Sequence, residues 1–198
     1  MTVTIVSISR AGVAGKLADL RSVYEQMNGL PAGSGEEFVP LLTGHCQRPD
    51  FRLYAALDQE HNKLVGFAYG YTCWPGQPWR DGMAQAVGVE AAAEWLTGQF
   101  DFAQFGVIPD CRRRGIGTRL HAALLCGLPH HRAVLTVLEK NTLALGFYHT
   151  QGWRVLYEGF FSATGLGPYR IMGKTLRRRS DRTPGSTIVK SSKIEDEG

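Results

Sequence analysis

Arg112-Arg113-Arg114-Gly115-Ile116-Gly117-Thr118 combines three cations with two glycines at a spacing that suits an anion. A helix leaves its first backbone N–H groups unpaired and carries roughly half a positive charge at that end, so a turn opening into a helix can hold phosphate oxygens. Lacking a Cβ, Gly115 and Gly117 let the backbone approach a bulky diphosphate, and Arg112, Arg113 and Arg114 add full charges beside it. A solvated basic loop is the plainer reading of a Gly-x-Gly standing alone. The strand-like run from Phe100 to Ile108, stopped by Pro109, favours the anion seat instead. Neither a Walker-type Gly-x4-Gly-Lys-Ser/Thr loop nor a three-glycine dinucleotide fingerprint occurs.

These residues resemble the acyl-coenzyme A signature of the GNAT (GCN5-related) N-acetyltransferases, in which Gln or Arg is followed by two residues, Gly, one residue, and Gly or Ala. Arg112, Gly115 and Gly117 fill those positions. Asn141-Thr-Leu-Ala-Leu-Gly-Phe-Tyr-His-Thr-Gln-Gly-Trp153 is similar to a later segment of the same family, with Asn141, Ala144 and Tyr148 at the matching places. The resemblance implies an N-acetyltransferase that moves an acetyl group from acetyl-CoA directly to an amine of a small molecule. It implies that Phe105, Gly106, Val107, the 112–118 turn, Asn141, Ala144 and Tyr148 hold the cofactor. Tyr148 would also act as general acid toward the departing sulfur. A non-catalytic acyl-CoA sensor of the same fold is the alternative.

Acyl transfer makes demands that can be checked against residues. An alkylammonium of pKa near 10.4 is less than about 0.1% neutral at pH 7, so a base must take its proton. The carbonyl oxygen gains negative charge and needs preset donors; backbone N–H groups around Phe105 and Val107 supply them if the central strand splays from its neighbour, as the family's does. Tyrosine, of pKa near 10, suits the thiolate. The plainer reading of Tyr148 is a core aromatic with its hydroxyl at the surface. Relatives often carry Glu where this chain has Gln104, which cannot accept a proton at neutral pH. Asp101, His45, Glu94 or a water chain remain as substitutes, and strict alternation puts Asp101 on the face opposite Gln104. The base is therefore unassigned. Trp74 and Trp79, in the turn-rich stretch from Cys73 to Gly82, are candidates with Gln104 for the acceptor wall; plugging the end of the core is the equal alternative. Cys111 lies near a helix start, where a thiol pKa can fall, although direct transfer needs no covalent nucleophile.

The elements that must position these groups follow from pattern. Strands are expected at Thr2–Ser9, Phe51–Leu57, Lys63–Thr72, Phe100–Ile108, Ala133–Leu138, Trp153–Glu158 and Tyr169–Thr175, where bulky and β-branched residues concentrate. Helices are expected at Ala11–Met27, from a Ser34 cap to about Gln47, at Val87–Leu96, after Gly115 through Ile116, Leu120 and Leu124, and from an Asn141 cap to Gly152. The order predicts a single mixed, mostly antiparallel sheet flanked by helices, with a parallel central strand pair joined by a helical crossover. Ligands bind such sheets at the C-terminal ends of the strands, where the 112–118 turn falls. Residues 1–176 read as one acyltransferase domain and 177–198 as a disordered polar tail.

Composition supplies exclusions. Of the net charge of +4, the stretch from Arg177 onward holds six Lys/Arg against four Asp/Glu, so only +2 belongs to the other 176 residues. That is not a nucleic-acid footprint. No membrane-length apolar run or secretory leader is seen, and the four cysteines lack disulfide or zinc spacing. A cytoplasmic protein without a metal is expected, and a homodimer is compatible with the sequence.

Overall fold

Seven strands hydrogen-bond into one mixed sheet: β1 (Val3–Ile8), β2 (Arg52–Asp58), β3 (Lys63–Thr72), β4 (Phe100–Val107), β5 (Arg132–Leu138), β6 (Arg154–Phe160) and β7 (Tyr169–Thr175), in the order β1-β2-β3-β4-β5-β7-β6. The computed structural model describes residues 1–163 and 165–176; the expected tail from 177 to 198 lies outside them. Every described neighbouring pair is antiparallel except β4 and β5. The expected architecture is present, with its parallel pair at the centre.

Helices cover both faces. The helices α1 (Leu17–Asn28) and α2 (Phe38–Cys46) bury Leu20, Val23, Phe38 and Leu42 against Phe67, Tyr69 and Tyr71 of β3. On the same face, α3 (Pro78–Val87) and α4 (Val89–Trp95) bring Met83 and Trp95 onto Val134 and Ile171. The opposite face carries α5 (Ile116–Leu125) and α6 (Thr142–Thr150), packed on Phe100, Phe102, Leu135 and Met172. Ile116, Leu120 and Leu124 of α5 are fully or almost fully buried, as their helical spacing predicts. Each such side chain contributes about 1.5–3 kcal/mol of hydrophobic stabilisation.

Several boundaries differ from the sequence expectation. Two 3-10 turns at Arg10–Gly12 and Ala14–Lys16 precede α1, so the helix begins six residues late. Ser34 does not cap α2: its hydroxyl donates to the Pro31 carbonyl, and the helix starts at Phe38 without a side-chain cap. The stretch read as a loop to Gly82 becomes helical at Pro78, whose fixed φ suits a first turn. On α6, Leu145 and Tyr148 are buried, whereas Leu143 is exposed.

Candidate active site

β4 and β5 are registered at only two positions, Phe100 with Ala133 and Asp101 with Val134. Beyond Asp101 the strands part, and a gap opens toward their C-terminal ends. In a strand, successive N–H groups point to alternate sides. The Ile108 N–H donates to Val65 of β3, so Phe105 and Val107 direct their backbone groups into the gap. The Val107 carbonyl is taken on that side by Arg112 Nε at 2.9 Å.

The turn leading from β4 to α5 stands at the mouth of the gap. Arg113 has φ 58 and Gly115, at the N-cap of α5, has φ 74, two left-handed residues two positions apart. Such alternation points successive N–H groups inward to form an anion-binding concavity. A left-handed arginine costs about 1–2 kcal/mol, a strain typical of functional sites. The N–H groups from Arg113 to Thr118 have no acceptor among the described residues, and no side chain caps α5.

The members of the turn divide their tasks differently from what the sequence suggests. Arg112 is not a loose cation: besides Val107, its Nη2 donates to the Met27 carbonyl at 2.9 Å, tying the end of α1 to β4. Arg113, Arg114 and Thr118 are exposed. A Cβ on Gly115 would meet nothing within 4 Å, so this glycine serves the left-handed turn and leaves space above it. A Cβ on Gly117 would come within 3.2 Å of the Phe105 ring, so this glycine serves the packing of α5 on β4. Gly106 is similarly covered by Met27 of α1. Ile116 and Val107 are buried, which leaves their backbone groups rather than their side chains to face a ligand.

Across the gap, Asn141 caps α6 with its Oδ1 accepting from the Ala144 N–H at 3.1 Å. Only the Nδ2 of Asn141 is left to donate outward. One turn beyond Ala144, Tyr148 is 7% exposed and packs among Phe102, Phe105, Phe147 and Trp153. Phe102 and Phe105 belong to the part of β4 that has left β5, so the ring of Tyr148 sits beside the split. Burial raises its pKa above the ordinary tyrosine value, and its hydroxyl bonds to no described residue.

On the other face, the alternation argument about Asp101 fails. Tyr69 is registered with Gln104 and Tyr71 with Asp101, so two steps along β3 match three along β4. A β-bulge absorbs the extra residue and restores Asp101 and Gln104 to one face, shared with Tyr69 and Tyr71. Gly70 permits it, because a Cβ there would collide with the Asp101 carbonyl. Asp101 is 5% exposed, and burial pushes its pKa up to about 7, opposed by a hydrogen bond from Tyr71.

His45 lies in the same cluster, with Nδ1 3.1 Å from the Tyr69 hydroxyl and Nε2 3.2 Å from that of Tyr71. Burial, with Arg48 nearby, lowers its pKa to about 4, so the imidazole is neutral. If the Tyr71 proton is committed to Asp101, His45 Nε2–H donates to Tyr71 and Nδ1 accepts from Tyr69. The chain Tyr69–His45–Tyr71 then runs in one direction and ends on the carboxylate. No motif announced it; its signal was the Tyr69-Gly70-Tyr71 run beside the bulge.

The remaining candidates separate. Glu94 pairs with Arg132 at 3.2 Å and Arg154 at 3.5 Å, near the start of β5 and away from the anion turn. Trp74, half exposed, lies over Gly98, also before β4 begins. Neither stands at the split, and the turn-rich composition around Trp74 carried no information on which end of the sheet it covers. Trp79 does reach the useful end: it stands edge-on to Phe160 at 5.7 Å and Tyr169 at 5.6 Å, and Tyr169 registers with Leu138, the last residue of β5. Across the gap stands Tyr24 of α1, whose pKa is raised by burial, by Glu37 and by Tyr169. Cys111 is buried beside Met1, and burial raises rather than lowers its pKa. Among the described residues, Asp58, Glu60 and His61 are the one group with three potential metal-ligand atoms within 4.8 Å; Asp58 is bonded to His61 and Glu60 to the Met1 amine.

Comparisons agree with the fold. A GCN5-like protein acetyltransferase of Mycobacterium tuberculosis is 23% identical over 89% of this chain and 99% of its own length. The Pyrococcus horikoshii protein PH1933 superposes with a TM-score of 0.64 at 20% identity, over 89% of this chain and 99% of that one. A phosphinothricin acetyltransferase from Sinorhizobium meliloti, crystallised with acetyl-CoA, gives 0.58 at 16% identity over 95% and 97%. Residues 18–153 match the family model described as the acetyltransferase (GNAT) family, and the chain belongs to that family of N-acetyltransferases.

Proposed function

We propose that the protein transfers the acetyl group of acetyl-CoA directly to the amine of a small molecule held in the gap between β4 and β5. The observation that carries this reading is the parting of the two strands right after Asp101, with the uncapped start of α5 at the mouth of the opening. Bound acetyl-CoA supplies an activated thioester. The N–H groups from Arg113 to Thr118 hold its diphosphate, and Asn141 Nδ2 donates to it from the other flank. The Phe105 and Val107 N–H groups face the carbonyl oxygen as negative charge gathers there.

Two proton movements fall to side chains. Asp101 takes the proton lost by the amine nitrogen as the new C–N bond forms; a carboxylate of pKa about 7 is matched to that task near neutral pH. Tyr148 gives a proton to the sulfur as the C–S bond breaks. Tyr24, Trp79, Tyr169 and Gln104 border the acceptor on the face shared with Asp101. The chain's four cysteines are all unpaired, which supports a reducing compartment such as the cytoplasm.

Gln104 favours a second reading, an acyl-CoA sensor without turnover. Incubation with acetyl-CoA and a panel of small primary amines, read as free thiol released, separates the two. Amine-dependent thiol that disappears in Asp101→Asn supports transfer. Tight acetyl-CoA binding with no thiol for any amine supports the sensor and removes the first reading.

A further inference from the structure

The connector between α1 and α2 holds a carboxylate at the acceptor side of the gap. Glu25, buried on α1, accepts from the Gly33 and Gly35 N–H groups at 3.0 Å each, and Arg21 pairs with it at 3.4 Å. Gly35 lies so close over Glu25 that a Cβ there would come within 2.9 Å of its Cγ. Three residues on, the Phe38 ring stacks on Tyr24 with centroids 4.4 Å apart. Glu36 and Glu37 are held between these two anchors. Glu37, at the N-cap of α2, is exposed, accepts from the Tyr24 hydroxyl and joins no ion pair among the described residues. A carboxylate at a helix start also suits the helix dipole, but that effect bears on stability and not on the choice of acceptor.

The facing wall is aromatic. Phe160 and Tyr169 stand edge-on to Trp79 at 5.7 and 5.6 Å, which fixes the indole while 36% of Trp79 stays exposed. Tyr169 is near enough to Tyr24 for the two hydroxyls to influence each other across the gap. Ring faces carry negative charge density that attracts cations, and the carboxylate adds a full opposite charge. Arg48, by His45, lies beyond the other end of α2.

We propose that Glu37, Tyr24, Trp79 and Tyr169 bind a second, non-reacting ammonium group and, given the acetyl transfer described above, that the acceptor is a small diamine. One nitrogen bonds to the acetyl carbon as the C–S bond breaks; its proton passes to Asp101, and the sulfur receives one from Tyr148. A proton returned from Asp101 to Tyr148 through solvent restores the site. The other nitrogen keeps its three protons throughout.

The test has two arms. In the first, diamines from 1,3-diaminopropane to 1,6-diaminohexane are each compared with the monoamine and the ω-amino acid of the same length, read as free thiol released. At least one diamine should exceed its monoamine about tenfold or more in kcat/KM, mainly through KM. Glu37→Gln should remove that advantage, and Glu37→Lys should turn the preference toward the ω-amino acid. In the second arm, butyltrimethylammonium, which has no nitrogen to acetylate, is titrated into the isotopically labelled full chain while the Trp79 indole N–H is followed by NMR. A saturable shift that weakens in Glu37→Gln is expected. Diamines no better than monoamines, or a loss in Glu37→Gln shared equally by both, would overturn the proposal and leave acetyl transfer standing. So would a Trp79 shift that is absent or independent of Glu37. No thiol from any amine, with the Glu37-dependent shift present, would overturn acetyl transfer and leave the ammonium site standing.

Discussion

Asp101 and Gln104 face the same side of the sheet, although three positions separate them on one strand, because the β4 bulge absorbs a residue between them. The bulge therefore sets a carboxylate at the vertex of the split on the face of Gln104, in a polar cluster with Tyr71, His45 and Tyr69. Asp101→Asn should lower turnover on the order of 100-fold or more while acetyl-CoA affinity is kept. Wild-type kcat/KM should rise with pH as the carboxyl ionises near its pKa of about 7, and this limb should vanish in the variant. Stability runs the other way: a raised folded pKa means that the native state holds the proton more tightly, so wild-type stability falls as pH climbs from about 4 to 7. The variant should lack that decline in denaturant titrations.

Tyr148→Phe should slow turnover on the order of 100-fold with little change in acetyl-CoA affinity or melting temperature, since the hydroxyl bonds to no described residue. Unchanged turnover with an identified acceptor would remove Tyr148 from the proton path.

The two glycines of the turn should respond differently. Gly115→Ala places a Cβ in open space but on a left-handed residue, costing about 1 kcal/mol and disturbing the anion turn. Calorimetry should show weakened acetyl-CoA binding with a small loss of stability. Gly117→Val drives side-chain atoms into Phe105, so binding and melting temperature should fall together.

His121 accepts from the Trp153 indole N–H at 2.9 Å, and burial, with Lys174 nearby, lowers its pKa to about 4. A histidine held neutral in the native state takes up its proton more readily when unfolded. Wild-type stability should thus drop as pH falls from about 6.5 toward 4, with a slope approaching 1.4 kcal/mol per pH unit for each such proton. His121→Gln should flatten this acid limb, and the His45 contribution, of the same sign, should remain.

Strand positions were legible because β-branched and aromatic residues concentrate there, and the start of α6 because Asn141 is a strong capping residue. The tight turn that opens α5 was legible from glycine spacing. The division of labour within it was not, since whether Arg112 faces solvent or the Met27 carbonyl depends on where α1 ends. The shared face of Asp101 and Gln104 escaped for a related reason: alternation assumes an unbroken pleat, and Gly70, the residue that admits the bulge, lies on a different strand. Helix α3 was hidden because Pro75, Gly76 and Pro78 read as turn formers, although Pro78 begins the helix.

With so short a seam between them, strands β1–β4 and strands β5–β7 form two half-sheets hinged at Phe100 and Asp101. A molecule lodged in the opening becomes a keystone, touching both halves at once and adding cross-links that the backbone itself does not make. Amide hydrogens of β4 and β5 beyond the hinge should accordingly exchange more slowly when the donor is in place, whereas those of the outer strands keep their pace.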